Sequence, residues 1–233
     1  MFNNSVFFSV LLTLIAFEIG TWIRNKTKLV IASPLLLATA IVISVLLILK
    51  IDYDTYSLGA AYISYLLTPA TVCLAVPLYE KLELLKNNLL AVVLSVSIGI
   101  ALGLLSIFGL SLLFKLEYEH YATLLPKSIT TAIGLDLSRE LGGIPNITAA
   151  VIAITGIFGN LCAGLVMKLF RITDPIAQGL GIGTAAHAMG TVKAIEMGKT
   201  QGAMSSLALV VAGIVTVLLS PVFAKFFRVA VSN

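Results

Sequence analysis

Charge is what this chain has least of. Charged residues make up 11% of its 233 positions, where a soluble domain carries about 25%, so there is too little polar surface to cover a water-facing globule. Lys and Arg number 15 against 11 Asp and Glu. No basic cluster is longer than Arg24-Asn25-Lys26-Thr27-Lys28, which argues against a nucleic-acid partner and for positive charge held on cytoplasmic loops. Cysteine is nearly absent. Cys73 and Cys162 lie in apolar segments with no CxxC or Cys/His spacing nearby, so neither metal nor disulfide is expected and both read as small core residues. There is no GxSxG, HExxH or phosphate-binding glycine loop, and the GIGTAA run lacks the strand and βαβ setting of a dinucleotide site. Ser128 with His187 is a conceivable nucleophile and base, but nothing in the sequence supports the pair. No enzymatic activity and no cofactor are expected.

What is present is apolar. Hydrophobic residues reach 59% and the mean hydropathy is +1.06. The apolar runs are helix-length and unalternating, unlike the ten-residue alternation of an outer-membrane barrel. They predict an all-α membrane protein, a polytopic helical bundle forming one integral membrane domain over residues 1–233. The segment Ser5–Ile23 has no preceding positive charge and no small-residue cleavage pattern, so it reads as a retained helix rather than a signal peptide. Glu18 lies within it, one turn from Trp22. It either pairs at the interface or serves as a proton-coupling group.

Pro34–Leu49 follows, then Ser57–Tyr79, interrupted by Pro69 and Pro77 around Thr68 and Thr71 and hence kinked or broken. After the polar connector Glu80–Lys86 comes Leu89–Phe114. The stretch Tyr121–Leu141 holds Pro126, Lys127, Ser128, Thr130, Thr131, Asp136 and Arg139, is too polar for lipid contact, and reads as a re-entrant or buried short helix. Ile144–Phe170 is again a span, with Gly156, Gly159 and Gly164 allowing close approach to a neighbour. The last helix is Ala203–Phe227.

Between these lies Gly181-Ile182-Gly183-Thr184-Ala185-Ala186-His187-Ala188-Met189-Gly190-Thr191, small and polar in a lipid-loving chain. Broken backbone is tolerated at membrane depth only where protein or a water-filled cavity surrounds it. The run therefore marks a candidate site. Shifting the chain by 116 positions sets Thr68 on Thr184, Val76 on Val192 and Glu80 on Glu196, and the element pattern recurs in the same order. That predicts two repeats, about 1–120 and 121–233, each with a broken helix. If Tyr121–Leu141 dips in and returns, the copies are inverted. Inside loops then carry Arg24, Lys26, Lys28, Lys81, Lys86, Lys168, Arg171, Lys225 and Arg228, nine of the 15 basic residues. A straight threading gives a weaker bias, so the N-terminus is expected outside and the C-terminus inside.

Half-helix N-termini meeting near the midplane bind anions through orphan N–H groups and the helix dipole. Gly183 and Gly190 permit close approach, Thr184 and Thr191 add hydroxyls, Lys127, Ser128, Thr130 and Thr131 add a cation and further donors, and Thr68 and Thr71 of the first broken element are candidate substrate-binding hydroxyls. The set suits a small carboxylate. His187 binds substrate, carries a proton, or is bonded to neighbouring backbone and holds the break in shape.

At Leu125-Pro126-Lys127-Ser128-Ile129-Thr130-Thr131, Gly142-Gly143-Ile144 and Gly183–Thr191, with Pro77-Leu78-Tyr79, Glu196, Gly202-Ala203 and Ser205-Ser206, the chain resembles the LrgB/CidB family of bacterial membrane proteins over nearly its whole length. Ala132 is a departure, since some relatives carry proline there. The resemblance implies a bacterial cytoplasmic (inner) membrane protein with one of two roles. Some members are holin- or antiholin-like modulators of murein hydrolases, beside a small LrgA/CidA-type membrane partner. Others resemble carriers of small monocarboxylates, pyruvate in bacteria and glycolate or glycerate in plant plastids. The chemistry of the broken elements agrees with the second role: a homodimeric carrier moving a pyruvate-, lactate- or glycolate-like anion by alternating access with a proton.

Overall fold

Apolar runs too long to stay unpaired in lipid must close their backbone bonds within themselves, and helices do so. The computed structural model describes residues 6–27, 34–66, 69, 72, 73, 79 and 82–232. Among them all regular structure is helical. Among the described residues four helices contain stretches long and apolar enough to cross a membrane, Phe7–Thr27, Leu89–Leu113, Pro145–Leu169 and Lys199–Val231.

The chain divides into two compact units, Met1–Ala75 and Val76–Asn233. The first holds α1 (Val6–Thr27), α2 (Pro34–Leu49) and α3 (Tyr53–Ser64). Thr13, Thr21 and Thr27 satisfy their hydroxyls on carbonyls four residues back, at 2.8–2.9 Å. Proline opens α2, where a missing N–H costs nothing. Gly20 lets α1 approach α2 closely, because a Cβ there would stand 2.6 Å from the Pro34 carbonyl oxygen. Ala16, Ala38 and Val42 form the contact, and Thr13 Oγ1 bonds the Tyr56 hydroxyl at 2.8 Å to bring in α3. Glu18 is exposed on α1, as is Cys73 further along. Cys162, in the second unit, is partly buried. Neither cysteine is the core residue its apolar neighbourhood suggested. The expected broken element Ser57–Tyr79 starts earlier, at Tyr53, and its first helix stops at Ser64. Thr68, Thr71 and Pro77 fall outside the described residues.

The second unit contains α4 (Leu82–Leu113), α5 (Tyr118–Leu124), α6 (Thr131–Leu141), α7 (Pro145–Leu169), α8 (Pro175–Met197) and α9 (Lys199–Ser232). One face of α4, with Val92, Val96, Ile100, Leu104 and Ile107 at every third or fourth position, packs on Leu207, Ala208 and Ala212 of α9 and on Tyr121 and Leu125. The opposite face exposes Leu90, Leu94, Ile98 and Leu102, a stripe that only lipid or protein covers at tolerable cost. Tyr121 stacks on Phe227 with ring centroids 4.0 Å apart, and Phe108 meets both rings edge-on. α8 lies between α7 and α9 and touches α4.

Helix ends follow a repeated rule. α2, α4 and α7 stop in a left-handed residue that is basic, Lys50, Lys115 and Arg171, with φ of 52°, 52° and 55°. Each closes the same pair of bonds, such as Leu116 N to Ser111 O at 2.9 Å and Lys115 N to Leu112 O at 3.2 Å. The positive charge complements the negative end of the dipole. At α6 the role falls to Gly142, φ 78°.

Candidate functional site

The polar stretch expected between 121 and 141 is two short helices around a break. Pro126 cannot donate, and the chain turns through three-residue bonds, Lys127 N to Leu124 O and Ile129 N to Pro126 O, before Thr130 takes the N-cap position of α6 in extended conformation. A buried hydroxyl cluster holds the turn. Thr123 Oγ1 accepts from Ile144 N at 2.8 Å, and Thr148 Oγ1 lies 2.7 Å from Ser138 Oγ and 3.0 Å from the Thr123 carbonyl. These bonds tie α5, α6 and α7 together.

The break in α8 falls at Ala186 (φ −130°, ψ 19°) and His187 (φ 41°, ψ −138°). The glycines of the run do not bend the chain. Gly183 lets α9 touch α8, since a Cβ there would strike the Ser205 backbone, as one on Gly179 just before the run would stand 2.5 Å from the Gln201 carbonyl oxygen, whereas Gly190 makes room for Ile182 and Ala186 of its own helix. Across the other interface Gly159 of α7 accommodates Ala186, and Gly156 accommodates the His187 ring. His187 is 3% exposed. Its Nε2 donates to the Ile152 carbonyl oxygen at 2.9 Å, and its own carbonyl accepts from Thr191 Oγ1 at 3.0 Å. Thr191 Oγ1 also lies 3.0 Å from Ser205 Oγ, and Asn160 Nδ2 donates to the Met189 carbonyl at 2.9 Å. Backbone groups near the break thus gain partners from α7 and from within α8, as buried backbone requires.

The two breaks flank a cavity of about 500 Å³ in this unit, within the size range of small-molecule sites. Its walls are mostly apolar. α4 contributes Ser95, Gly99 and Gly103 among aliphatic residues, the 125–130 turn contributes Leu125, Lys127 and Ser128, α8 contributes Gly181 and Thr184, and α9 contributes Thr216. Among the described lining residues Lys127 is the one that is charged, and none is a carboxylate. Its Nζ bonds Ser128 Oγ at 3.0 Å and makes no ion pair among the described residues. A partly buried ammonium facing apolar walls and hydroxyls favours an anionic ligand.

Of the residues singled out in the sequence, the structure brings Lys127, Ser128 and Thr184 to one cavity. Thr130, Thr131, Gly183, His187, Gly190 and Thr191 lie off it. The half-helices that follow the two breaks do not line it with their N-termini: Thr130 and Thr131 are absent from the wall, and α8 contributes only residues before its break, from Ala177 of its first turn to Ala185. Asp136, one of the polar residues of the 121–141 stretch, is exposed and paired with Arg139 at 2.7 Å. Sequence reasoning missed Ser95, Gly99, Gly103 and Thr216. The first three were legible as small residues at i, i+4 and i+8 of a long helix, a spacing that marks one face. Thr216, one hydroxyl in an aliphatic run, carried no signal. It is 2% exposed and unpartnered among the described residues, an arrangement that costs about 1–3 kcal/mol unless something occupies the space it faces.

Compared with known proteins, the chain matches the family model described as the LrgB-like family over residues 13–226. No solved structure matches it.

Proposed function

The chain belongs to the LrgB-like family and is a multi-pass membrane protein, and from that premise we propose that it is a secondary transporter of small monocarboxylates of the pyruvate, lactate or glycolate kind. The observation that carries the reading is the ammonium of Lys127 beside Ser128 in a largely apolar cavity that has no carboxylate among its described lining residues. A carboxylate finds there a charge-assisted bond and hydroxyl donors, while apolar walls exclude larger polar solutes.

The carrier works by alternating access with a proton as coupling ion, from two inverted repeats. Three features support that architecture. α5 and α6, at 7 and 11 residues, reach only about 10 and 16 Å against a hydrocarbon core of about 30 Å, as a re-entrant pair would. Each half of the chain closes on its longest helix, of 32 and 34 residues. α8 is broken at the position the repeat assigns to a discontinuous helix. The proposed setting is the bacterial inner membrane, N-terminus outside and C-terminus inside, as a homodimer.

Family membership supports a holin- or antiholin-like regulator of murein hydrolases, with a small LrgA/CidA-type partner, equally well. The cavity is what favours transport, because a regulator acting by assembly has no use for a cation facing such a cavity. Uptake of labelled pyruvate, lactate and glycolate into proteoliposomes, with and without a pH gradient, tests the reading. Saturable uptake of at least one, increased by an inward proton gradient, is the expected result; no saturable uptake of any by demonstrably folded protein rejects it.

A further inference from the structure

Serine and threonine in an apolar helix return their hydroxyl to a backbone carbonyl one turn back. In this unit Ser95, Ser106, Thr184 and Ser206 do so, at 2.7–3.1 Å. Four buried hydroxyls do not. Ser111, Tyr121, Thr216 and Ser220 are 0–2% exposed, and none has a hydrogen-bond partner among the described residues.

Their placement is systematic. Thr216 is part of the cavity wall. Ser220 follows it by one turn on α9, Ser111 follows the wall residue Ile107 by one turn on α4, and Tyr121 precedes the wall residue Leu125 by one turn on α5. α4 ends at Leu113 and α5 begins at Tyr118, so the steps from Ile107 to Ser111 and from Leu125 to Tyr121 run toward the same end of the unit. The step along α9 runs there too, since Phe227 stacks on Tyr121 and the Arg228 guanidinium lies 4.1 Å over the Tyr118 ring. Three helices therefore each place an unpartnered hydroxyl one turn beyond the cavity, on one side of it.

We propose that Ser111, Tyr121, Thr216 and Ser220 bind a short file of ordered water that continues the cavity toward the end of the unit where α4 gives way to α5. Water is the ligand the chemistry selects. Each hydroxyl both donates and accepts, as a water chain requires, and the four carry no charge to hold an ion. A buried water needs two to four polar partners, and a purely apolar space stays dry. The file leads toward Lys115, Glu117 and Glu119, which follow α4. Such a file is also a proton conductor. That consequence rests on the transport reading, whereas the water itself does not.

Radiolytic hydroxyl-radical footprinting of the full-length protein in lipid nanodiscs, read by mass spectrometry, tests the file without any substrate, because radicals made from bound water react where they form. Met204 is the control, equally buried at 0% exposure and the more oxidisable side chain. The expected result is Tyr121 modified about tenfold faster than Met204, as a side chain beside water must be; Tyr121 modified no faster than Met204 overturns the proposal. Thr216→Val keeps the shape and removes the cavity-side hydroxyl, and is expected to slow Tyr121 modification by about threefold or more. An unchanged rate in the folded variant overturns the connection to the cavity. A dry Tyr121 leaves the carrier reading to its own uptake test, so the two fail separately.

Discussion

Nε2 of His187 donates to the carbonyl oxygen of Ile152 at 2.9 Å, joining the break in α8 to the N-terminal half of α7. A carbonyl only accepts, so Nε2 carries the proton. The same residue sits at φ 41° and ψ −138°, a conformation that costs a side-chain-bearing residue of order 1–3 kcal/mol. Replacement of His187 separates these terms. His187→Ala keeps the strain, loses the bond and leaves a void, and should destabilise by about 2–3 kcal/mol. His187→Gly loses the bond but relieves the strain, and should unfold at a higher temperature than His187→Ala. Thermal unfolding in detergent decides; the reverse order means that His187 is unstrained.

Gly156 and Gly164 lie on one helix and should respond to alanine with opposite signs. A Cβ on Gly156 would stand 2.6 Å from His187 Cε1 and 2.7 Å from Met189 Sδ, while one on Gly164 meets nothing within 4 Å. Gly156→Ala should cost about 1–3 kcal/mol by overpacking. Gly164→Ala should stabilise by up to about 1 kcal/mol through helix propensity. The same unfolding measurement checks both.

Lys127 is the charge expected to hold the carboxylate. Lys127→Ala should weaken binding by about ten- to a hundredfold, the loss of one hydrogen bond to a charged group, read as a raised KM for uptake or by calorimetry. Lys127→Arg should retain part of the affinity. Equal loss in both, with the fold intact, would show that shape rather than charge matters at this position.

Gly103 lines the cavity, and a Cβ built on it meets nothing within 4 Å. Gly103→Phe should therefore fill the site from the α4 side while leaving packing intact. Uptake is expected to fall by about tenfold or more with little change in unfolding temperature, since an added ring on the cavity wall competes with a small substrate for the same space. Unaltered uptake would place the translocation path elsewhere.

The long elements were legible in the sequence because apolar length is a local property. Pro34–Leu49 was read to the residue. Ile144–Phe170 and the final helix were found with their ends displaced by one to five residues. α4 begins at Leu82 rather than Leu89 because Leu82, Glu83, Leu84, Leu85 and Lys86 are good helix formers despite their charge. The polar 121–141 stretch is recognisable as unlike its neighbours, but its division at Pro126–Thr130 depends on the bonds of Thr123 and Thr148 to chain 10 to 25 residues away.

The site divides in the same way. Composition alone marked the run Gly181–Thr191 and the Lys127-Ser128 turn, since small polar residues are costly in lipid wherever they occur. Whether a glycine bends its own helix or admits another depends on what faces it, and Ser205, Ala186 and His187 answer that only once α7, α8 and α9 are packed. The sequence by itself determined an all-helical membrane protein with two polar interruptions, because hydropathy adds along a chain. Only packing brings Lys127, Ser128 and Thr184 to one cavity, makes His187 the brace of a break, and leaves Thr216 on the cavity wall and Ser111, Tyr121 and Ser220 beyond it unpartnered among the described residues, because partnership is a property of facing surfaces.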